Sequence, residues 1–272
     1  ANMMVGREVS FTVDKKEPKF GREILKVENL TVKNEDKFDL VKDVSFTIHA
    51  GEIFVIAGVS GNGQVELADA VAGLLRHSAG RVILNGADIS HYTIRRRNLA
   101  GISYIPEDRH NVGLVMDFSL SDNLALKNYF EEPFSRKGIV KESEFTAYGE
   151  RLIEEYDIRS SQGNDTIVRS MSGGNQQKAI IAREIELGSD LMIFVQPTRG
   201  LDIGAIENIH RQIVAQRDAG KAVLLISLEL DEVMNLADTI GVIYNGEIQK
   251  IADAKTLTPG QVGEFMMGVG HK

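Results

Sequence analysis

Apolar residues along this chain gather either in short unbroken runs or in stripes of helical period, with glycine-rich breaks between them. Ile53-Phe54-Val55-Ile56-Ala57 and Leu191-Met192-Ile193-Phe194-Val195 are unbroken, and 222–227 is nearly so. Runs of that length without polar alternation fit strands covered on both faces. After the first run, Val65, Ala68, Val71 and Ala72 share one face of a helix predicted over 64–75. Ile206, Ile209, Ile213 and Val214 do the same for a helix over 205–219, and Gly220 suits the position just past its end. Strands alternating with helices imply a parallel sheet in an α/β core. Ahead of that core, residues 24–89 read mostly as short strands, with 24–27 and 30–32 β-like. Asn85-Gly86 is a hairpin turn because both residues tolerate positive φ. Asn245-Gly246 marks a second hairpin near the end. Residues 117–170 are mainly helical, with Ser121, Asp122 and Asn123 as N-cap candidates before Leu124. Phe145, Tyr148, Leu152, Ile153 and Tyr156 lie on one stripe there. Placed between core strands, this block reads as an inserted helical lobe.

Residues 1–23 are polar and without sustained period. They read as a linker or the tail of a preceding domain, which leaves 24–272 as the folded domain. Met3-Met4-Val5-Gly6 echoes Met266-Met267-Gly268-Val269. If the second segment ends a domain, the first ends an upstream copy; a chance match is the bland alternative. Composition narrows the function classes. Apolar residues make up 43% of the 272 positions, enough for a substantial core. The absence of Cys excludes disulfides and thiolate metal sites. A net charge of −8 does not suit gripping a nucleic-acid backbone. No apolar run approaches the roughly 20 residues of a membrane-spanning helix. The expectation is a soluble intracellular domain whose membrane role, if it has one, needs a separate embedded partner and no nucleic acid.

Three motifs carry the chemistry. Gly58-Val59-Ser60-Gly61-Asn62-Gly63-Gln64-Val65 joins a buried strand to a helix with the glycine spacing of a phosphate loop. Glycines there let backbone N–H groups converge on an anion, and the helix start adds its positive dipole end. The Lys and the Ser/Thr that normally follow are replaced by Gln64 and Val65. Gln offers a neutral donor, where a charged one bonds about twice as strongly, and Val cannot ligate magnesium. On its own the motif also suits some dinucleotide-binding turns. Met171-Ser172-Gly173-Gly174-Asn175-Gln176-Gln177-Lys178 opens a second helix with small residues and a hydroxyl, again an anion site built from orphan N–H groups. About twenty residues later a buried strand runs into Val195-Gln196-Pro197-Thr198-Arg199-Gly200-Leu201-Asp202.

Taken in this order, the phosphate loop, the Ser172-Gly173-Gly174-Asn175-Gln176-Gln177 signature and the Pro197-Thr198-Arg199-Gly200-Leu201-Asp202 loop resemble the ATPase domains of ABC transporters. Gly61-Asn62-Gly63-Gln64, Pro106-Glu107-Asp108-Arg109 and Ser227-Leu228-Glu229-Leu230-Asp231-Glu232 are similar to one subgroup, the second nucleotide-binding domain of tandem ATPase subunits serving nucleoside or simple-sugar uptake. The resemblance covers about 24–268. It implies a P-loop NTPase core, α/β, with an antiparallel β subdomain and the helical lobe.

Family roles then fall on numbered positions. Gly58, Gly61, Asn62, Gly63, Gln64 and Val65 are implied to line the nucleotide site. Glu107 stands where the family's Gln-loop residue meets magnesium and senses the membrane subunit. Ser172, Gly173 and Gly174 stand where the signature completes a partner domain's ATP site, and Asp202 where the two sites are joined. The same comparison exposes losses. The Lys, Ser/Thr, Asp, Glu and His of a hydrolytic site are Gln64, Val65, Val195, Gln196 and Leu228 here. Phosphoryl transfer relies on such groups for positioning and charge stabilisation. The expectation is weak or absent ATP/ADP binding at this domain's own site, no magnesium there, no catalytic residue, and a role in trans at the ATP site of a first domain. Implied partners are that first domain, membrane-embedded permease subunits and, indirectly, a substrate-binding protein, on the cytoplasmic face of the membrane. Phe38 is the nearest candidate for stacking on adenine, and its spacing is wrong. A stand-alone soluble ABC-type ATPase, a dinucleotide-dependent oxidoreductase and a nucleotide-free scaffold remain the competing readings. His91, His110 and His210 have no metal-ligand spacing and read as surface or capping residues. Arg95-Arg96-Arg97 reads as a solvated charge run.

Overall fold

Glu23–Lys33 forms one strand, β1, where the apolar pattern predicted two. Asn29 joins the halves with φ of 49°, and the pairing register shifts around it. Asn tolerates this left-handed backbone, so the strand bulges instead of ending. The structure is a computed structural model that describes residues 13–269. The echo at Met3-Met4-Val5-Gly6 lies outside the described residues, as does most of the proposed tail.

The chain continues through β2 (Asp39–His49), β3 (Glu52–Ala57), α1 (Gln64–Ala72), β4 (Ala79–Leu84), β5 (Ala87–Asp88), α2 (Ile94–Leu99) and β6 (Ile102–Ile105). A π-helical turn at Arg109–Gly113 leads to α3 (Leu120–Ala125), the short ribbon β7 (Ser135–Arg136) and β8 (Ile139–Val140), α4 (Glu142–Glu155) and α5 (Gly173–Glu186). Then come β9 (Leu191–Val195), α6 (Ile203–Asp218), β10 (Ala222–Ser227), α7 (Leu230–Leu236), β11 (Thr239–Tyr244), β12 (Glu247–Asp253) and α8 (Pro259–Met266).

These elements divide into two compact units. The first holds the described residues up to Tyr104, Ser189–Gln196 and those from Glu207 on. Its six-stranded sheet has the order β12-β11-β3-β10-β9-β6, and an antiparallel sheet has the order β2-β1-β4-β5. β10 lies parallel between β3 and β9, and all three are fully buried. That is the environment their unbroken apolar sequences require. Phe54, Ile56, Leu67, Val71, Leu191, Val195, Leu224 and Ile226 belong to one core together with the inward residues of β1, β2 and β4. The second unit holds Ile105–Gly188 and Pro197–Ile206. It contains the block 117–170 predicted as a helical lobe, together with the π-turn and α5.

Several boundaries differ from the sequence reading, each for a local reason. α1 stops at Ala72 because Gly73 adopts φ of 84° and Leu74 N returns to Asp69 O. The lobe's first helix is capped by Ser119, not by Ser121, Asp122 or Asn123; Ser119 Oγ accepts from Asp122 N, so those residues lie inside the first turn. α6 starts at Ile203 because Asp202 Oδ1 accepts Ala205 N at 3.0 Å. Gly220, with φ of 84°, ends it as expected. Arg97 is not part of a solvated run. It is 2% exposed and donates to Ala70 O, Val71 O and Ser90 O at 2.9, 2.6 and 2.9 Å. His210 is likewise buried, bonded to Glu232 Oε1 at 2.9 Å.

Candidate functional site

The first unit builds the phosphate loop from the ends of parallel strands. Ala57 is in register with Ser227, and Ile226 with Val195. Gly58, Leu228 and Gln196 therefore leave the sheet side by side, at the strand ends where α/β folds place ligands.

The loop's glycines have different jobs. A side chain at Gly58 would meet Ile243 Cγ2 and Ile243 O, both at 2.9 Å. One at Gly63, where φ is 97°, would run into the Leu40 carbonyl. These two let β11 and β2 approach the loop. Gly61 has φ of 85°, and a Cβ there would meet nothing within 4 Å, so its backbone faces open space. It is the glycine best placed to admit an anion.

Gln64 opens α1 and is 1% exposed. Its Nε2 donates to Val59 O at 2.9 Å, so the neutral amide is turned into the loop that it caps. Its Oε1 is buried with no hydrogen-bond partner among the described residues. Asn62, expected to line the nucleotide site, braces the loop. Its Nδ2 donates to Val59 O at 3.0 Å, its Oδ1 accepts Asn245 N at 2.8 Å, and its carbonyl accepts Gly246 N at 3.0 Å. The Asn245-Gly246 hairpin thus serves as a buttress for the phosphate loop, a link that no spacing in the sequence signals. Val65 packs against the core and Val195 is fully buried. Gln196 takes φ of 45° as its N–H donates to Ile226 O at 2.9 Å. Leu228 is partly buried, and Phe38 is 69% exposed.

The donor set decides which groups fit. Backbone N–H groups at Gly61 and the α1 start suit phosphate oxygens. Hydrocarbon at Val65 and Val195 supplies no oxygen ligand, which is the donor type magnesium demands. Among the described residues no group of three or more His, Asp or Glu is placed to hold a metal ion.

The second unit gathers the remaining predicted residues. Ser172 caps α5, and its hydroxyl is held by Asn175 Nδ2 at 2.9 Å. Asn175 Oδ1 in turn accepts Arg159 N at 2.9 Å. A Cβ at Gly174 would lie 3.3 Å from Ala205 Cβ and 3.7 Å from Asp202 Oδ2, so the signature helix start and Asp202 are packed together. Glu107 pairs with Arg199 at 2.7 Å, and Arg109 donates to Arg199 O at 3.0 Å. Burial pulls the Arg109 guanidinium pKa down, and its Nε is buried without a partner among the described residues. Asp108 caps the π-turn by accepting His110 N and Asn111 N at 2.9 and 3.0 Å. Hydrogen bonds from Asn111, first its N–H and then its side chain, hold the Asp108 carboxyl below its usual range.

Two features here were not found by sequence reading. One is the Glu107–Arg199–Arg109 chain, whose arginines sit inside the Pro-Glu-Asp-Arg and Pro-Thr-Arg-Gly motifs but were assigned no role. The other is a buried cluster in which Glu184 receives Lys127 Nζ at 2.7 Å and Arg183 Nε at 3.0 Å, while Arg183 Nη2 donates to Gly113 O at 2.9 Å. That cluster ties the signature helix to the π-turn following Glu107.

The chain is similar to known proteins. The ABC transporter family pattern matches residues 41–199. The chain is 47% identical over its whole length to the guanosine import ATP-binding protein NupO of Bacillus subtilis, covering 53% of that protein. It is 42% identical over 98% of its length to the nucleoside import ATP-binding protein NupA of Lactococcus lactis, again covering 53%. A ribose import ATP-binding protein of Clostridium tetani is 35% identical, with 52% covered. The chain thus spans about half the length of the curated relatives it matches. A nucleotide-free ATP-binding cassette from an ABC transporter superposes with a TM-score of 0.75 at 23% identity, over 90% of this chain and 99% of that one, and shares the fold. The dinucleotide reading of the Gly58 loop falls with these findings: the chain belongs to the ABC transporter family, as an ATP-binding domain.

Proposed function

We propose that this chain is the second, C-terminal nucleotide-binding domain of the ATP-binding subunit of an importer for nucleosides or simple sugars. In this reading it does not run an ATP site of its own but completes another. The names of its relatives support the substrate class. Their doubled length and the Met-Met echo support a first domain ahead of this one. The observation that carries the catalytic part is the loop itself: Gln64 turns a neutral amide onto Val59 O where a cation belongs, with hydrocarbon at Val65 and Val195. Cation, metal ligands and imidazole each contribute to phosphoryl transfer, so losing the cation, the imidazole and the metal-positioning groups at Val65 and Val195 together leaves little to lower the barrier. When bound, ATP would supply the transferable phosphoryl group. This chain's contribution would be Ser172, Gly173 and Gly174, presented at the first domain's phosphates by a helix start already fixed by Asn175 and packed against Asp202.

The remaining partners follow from the same reading. Permease subunits would dock on the second unit, where Val112 and Phe118 are exposed. A substrate-binding protein would act through the permease. The domain would sit peripherally on the cytoplasmic face of the membrane and bind no nucleic acid. The test is phosphate release. The isolated chain should release none above background with magnesium and ATP, while the full-length protein hydrolyses ATP; comparable turnover by the isolated chain ends the reading. Within the full-length protein, Ser172→Arg should abolish transport-coupled hydrolysis, and unchanged activity would refute the role in trans.

A further inference from the structure

Residues 14–20 lie ahead of the first strand, and nothing in their own pattern predicts order. They are nevertheless fastened to the first unit at several points. Lys15 Nζ donates to Leu236 O and Ala237 O at 2.9 and 2.7 Å and pairs with Asp238 Oδ1 at 3.0 Å. An ammonium has three N–H donors, and these acceptors use them all. Burial pushes the Lys15 pKa down, as expected of a cation withdrawn from water. Asp238 has a 1% exposed side chain that also pairs with Arg217 Nε at 3.1 Å and accepts Ile53 N at 2.9 Å. Arg217, equally buried, donates to Lys16 O at 2.7 Å. Farther on, a side chain at Gly51 would strike Lys19 O at 2.7 Å, and Gly21 N bonds Ala50 O at 2.8 Å.

The anchor point has a consequence for α7. Leu236 and Ala237 end that helix, which begins just past the Ser227-Leu228 turn. Final carbonyls of a helix lack partners, and a cation beside them is favourable. The first turn is held separately, by Glu232 against His210. Seven residues are too few for a helix to hold itself, so the stability of α7 depends on such fixings. We propose that residues 14–20 form a strap whose docking through Lys15 sets the local stability of α7 and of the Ser227-Leu228 turn, so that tension on the chain ahead of the strap reaches that turn. The proposal leans on the tandem reading only for what pulls on the strap.

The test uses the intact protein carrying this chain, with Lys15→Met, which keeps the aliphatic stem and removes the charge. Under limited trypsin, cleavage after Lys16 and Lys19 should accelerate at least tenfold, while cleavage after Lys37, in the exposed β1–β2 turn, stays constant. Amide hydrogen exchange across 230–237 should also quicken at least tenfold, with α5 unchanged. Unaltered cleavage overturns the docking; faster cleavage with unaltered exchange overturns the coupling to α7. Lys255→Ala, which breaks only the exposed pair with Glu17, should change neither, and an effect equal to that of Lys15→Met overturns the assignment to Lys15. If Lys15→Met does not fold, Lys15→Gln is read the same way. Neither measurement uses ATP hydrolysis or transport, so failure of the tandem reading would leave both intact.

Discussion

At the scale of single residues, one substitution separates holding a phosphate from cleaving its bond. Gln64→Lys would return a cation to the loop beside Val59 O. A charge-assisted bond in place of a neutral one is worth roughly 1.4 kcal/mol here, or about tenfold in affinity. The variant should bind ATP about tenfold more tightly in calorimetry with EDTA present and still release no phosphate, because Val65, Val195, Gln196 and Leu228 remain. Unchanged affinity would mean that the cradle around Gly61 is not a phosphate site. Gly63 tests the frame rather than the chemistry. Its φ of 97° and the Leu40 carbonyl against it leave an Ala no acceptable position. Gly63→Ala should lose about 2 kcal/mol or more in urea denaturation, and a loss near zero would show that the loop shifts freely. The glycine pattern made this loop legible in the sequence. It did not say that Gly58 and Gly63 serve the approach of strands, or that Asn62 braces a hairpin, because those facts depend on residues outside the loop, Leu40 for Gly63 and, nearly two hundred positions away, Ile243 and Asn245 for the other two.

At the scale of elements, Arg97 shows how far a charge run can mislead. Arg95 to Arg97 share a sequence pattern, yet Arg97 turns inward to close the end of α1, the helix that the phosphate loop caps. Replacing it with Ala would strand the Val71 carbonyl, leave Ala70 O with Gly73 N and Ser90 O with His77, and open space beside Gly73. Arg97→Ala should cost about 3 kcal/mol of unfolding free energy, and Arg96→Ala, on the surface, well under 1. Equal effects would place Arg97 back among solvated residues. Helix starts were legible only where the cap lay close to the periodic stripe. Ser172 was singled out and caps α5, but Ser119 was passed over for residues inside the turn that it caps. Strands β3, β9 and β10 were legible to within a residue because their unbroken apolar runs are short, rich in β-branched and aromatic residues, and so fit doubly covered strands. The grouping of α5 with the π-turn was not, since it rests on packing at Gly113, where a side chain would strike Ile180.

At the scale of the whole molecule, proton binding summed over both units sets how stability changes with pH. Hydrogen bonds from Ser90 hold Asp88 below its usual range, those from Asn111 and His110 do so for Asp108, and Lys178 does so for Asp157. Lys26 lowers Glu28 in the same way. Each carboxyl therefore binds a proton less readily when folded than when unfolded. Their contribution is complete above the unfolded range, about pH 4, and disappears as pH falls through the lower folded values. Burial pushes Lys127 down as well. The unfolded chain then holds that proton more tightly, so this penalty on folding persists at neutral pH and fades only as pH climbs from the folded value towards about 10.5. The two effects have the same sign but occupy separate windows. The urea midpoint should thus be level from about pH 6 to 8 and drop steadily between about pH 4 and 3. Lys178→Met, which removes the cation beside Asp157, should make that acid drop shallower without moving the neutral plateau by much, because the Asp157 carboxylate is exposed and water screens the pair. A midpoint that stays level down to pH 3 would mean that these carboxylates are no better held in the fold than in the open chain.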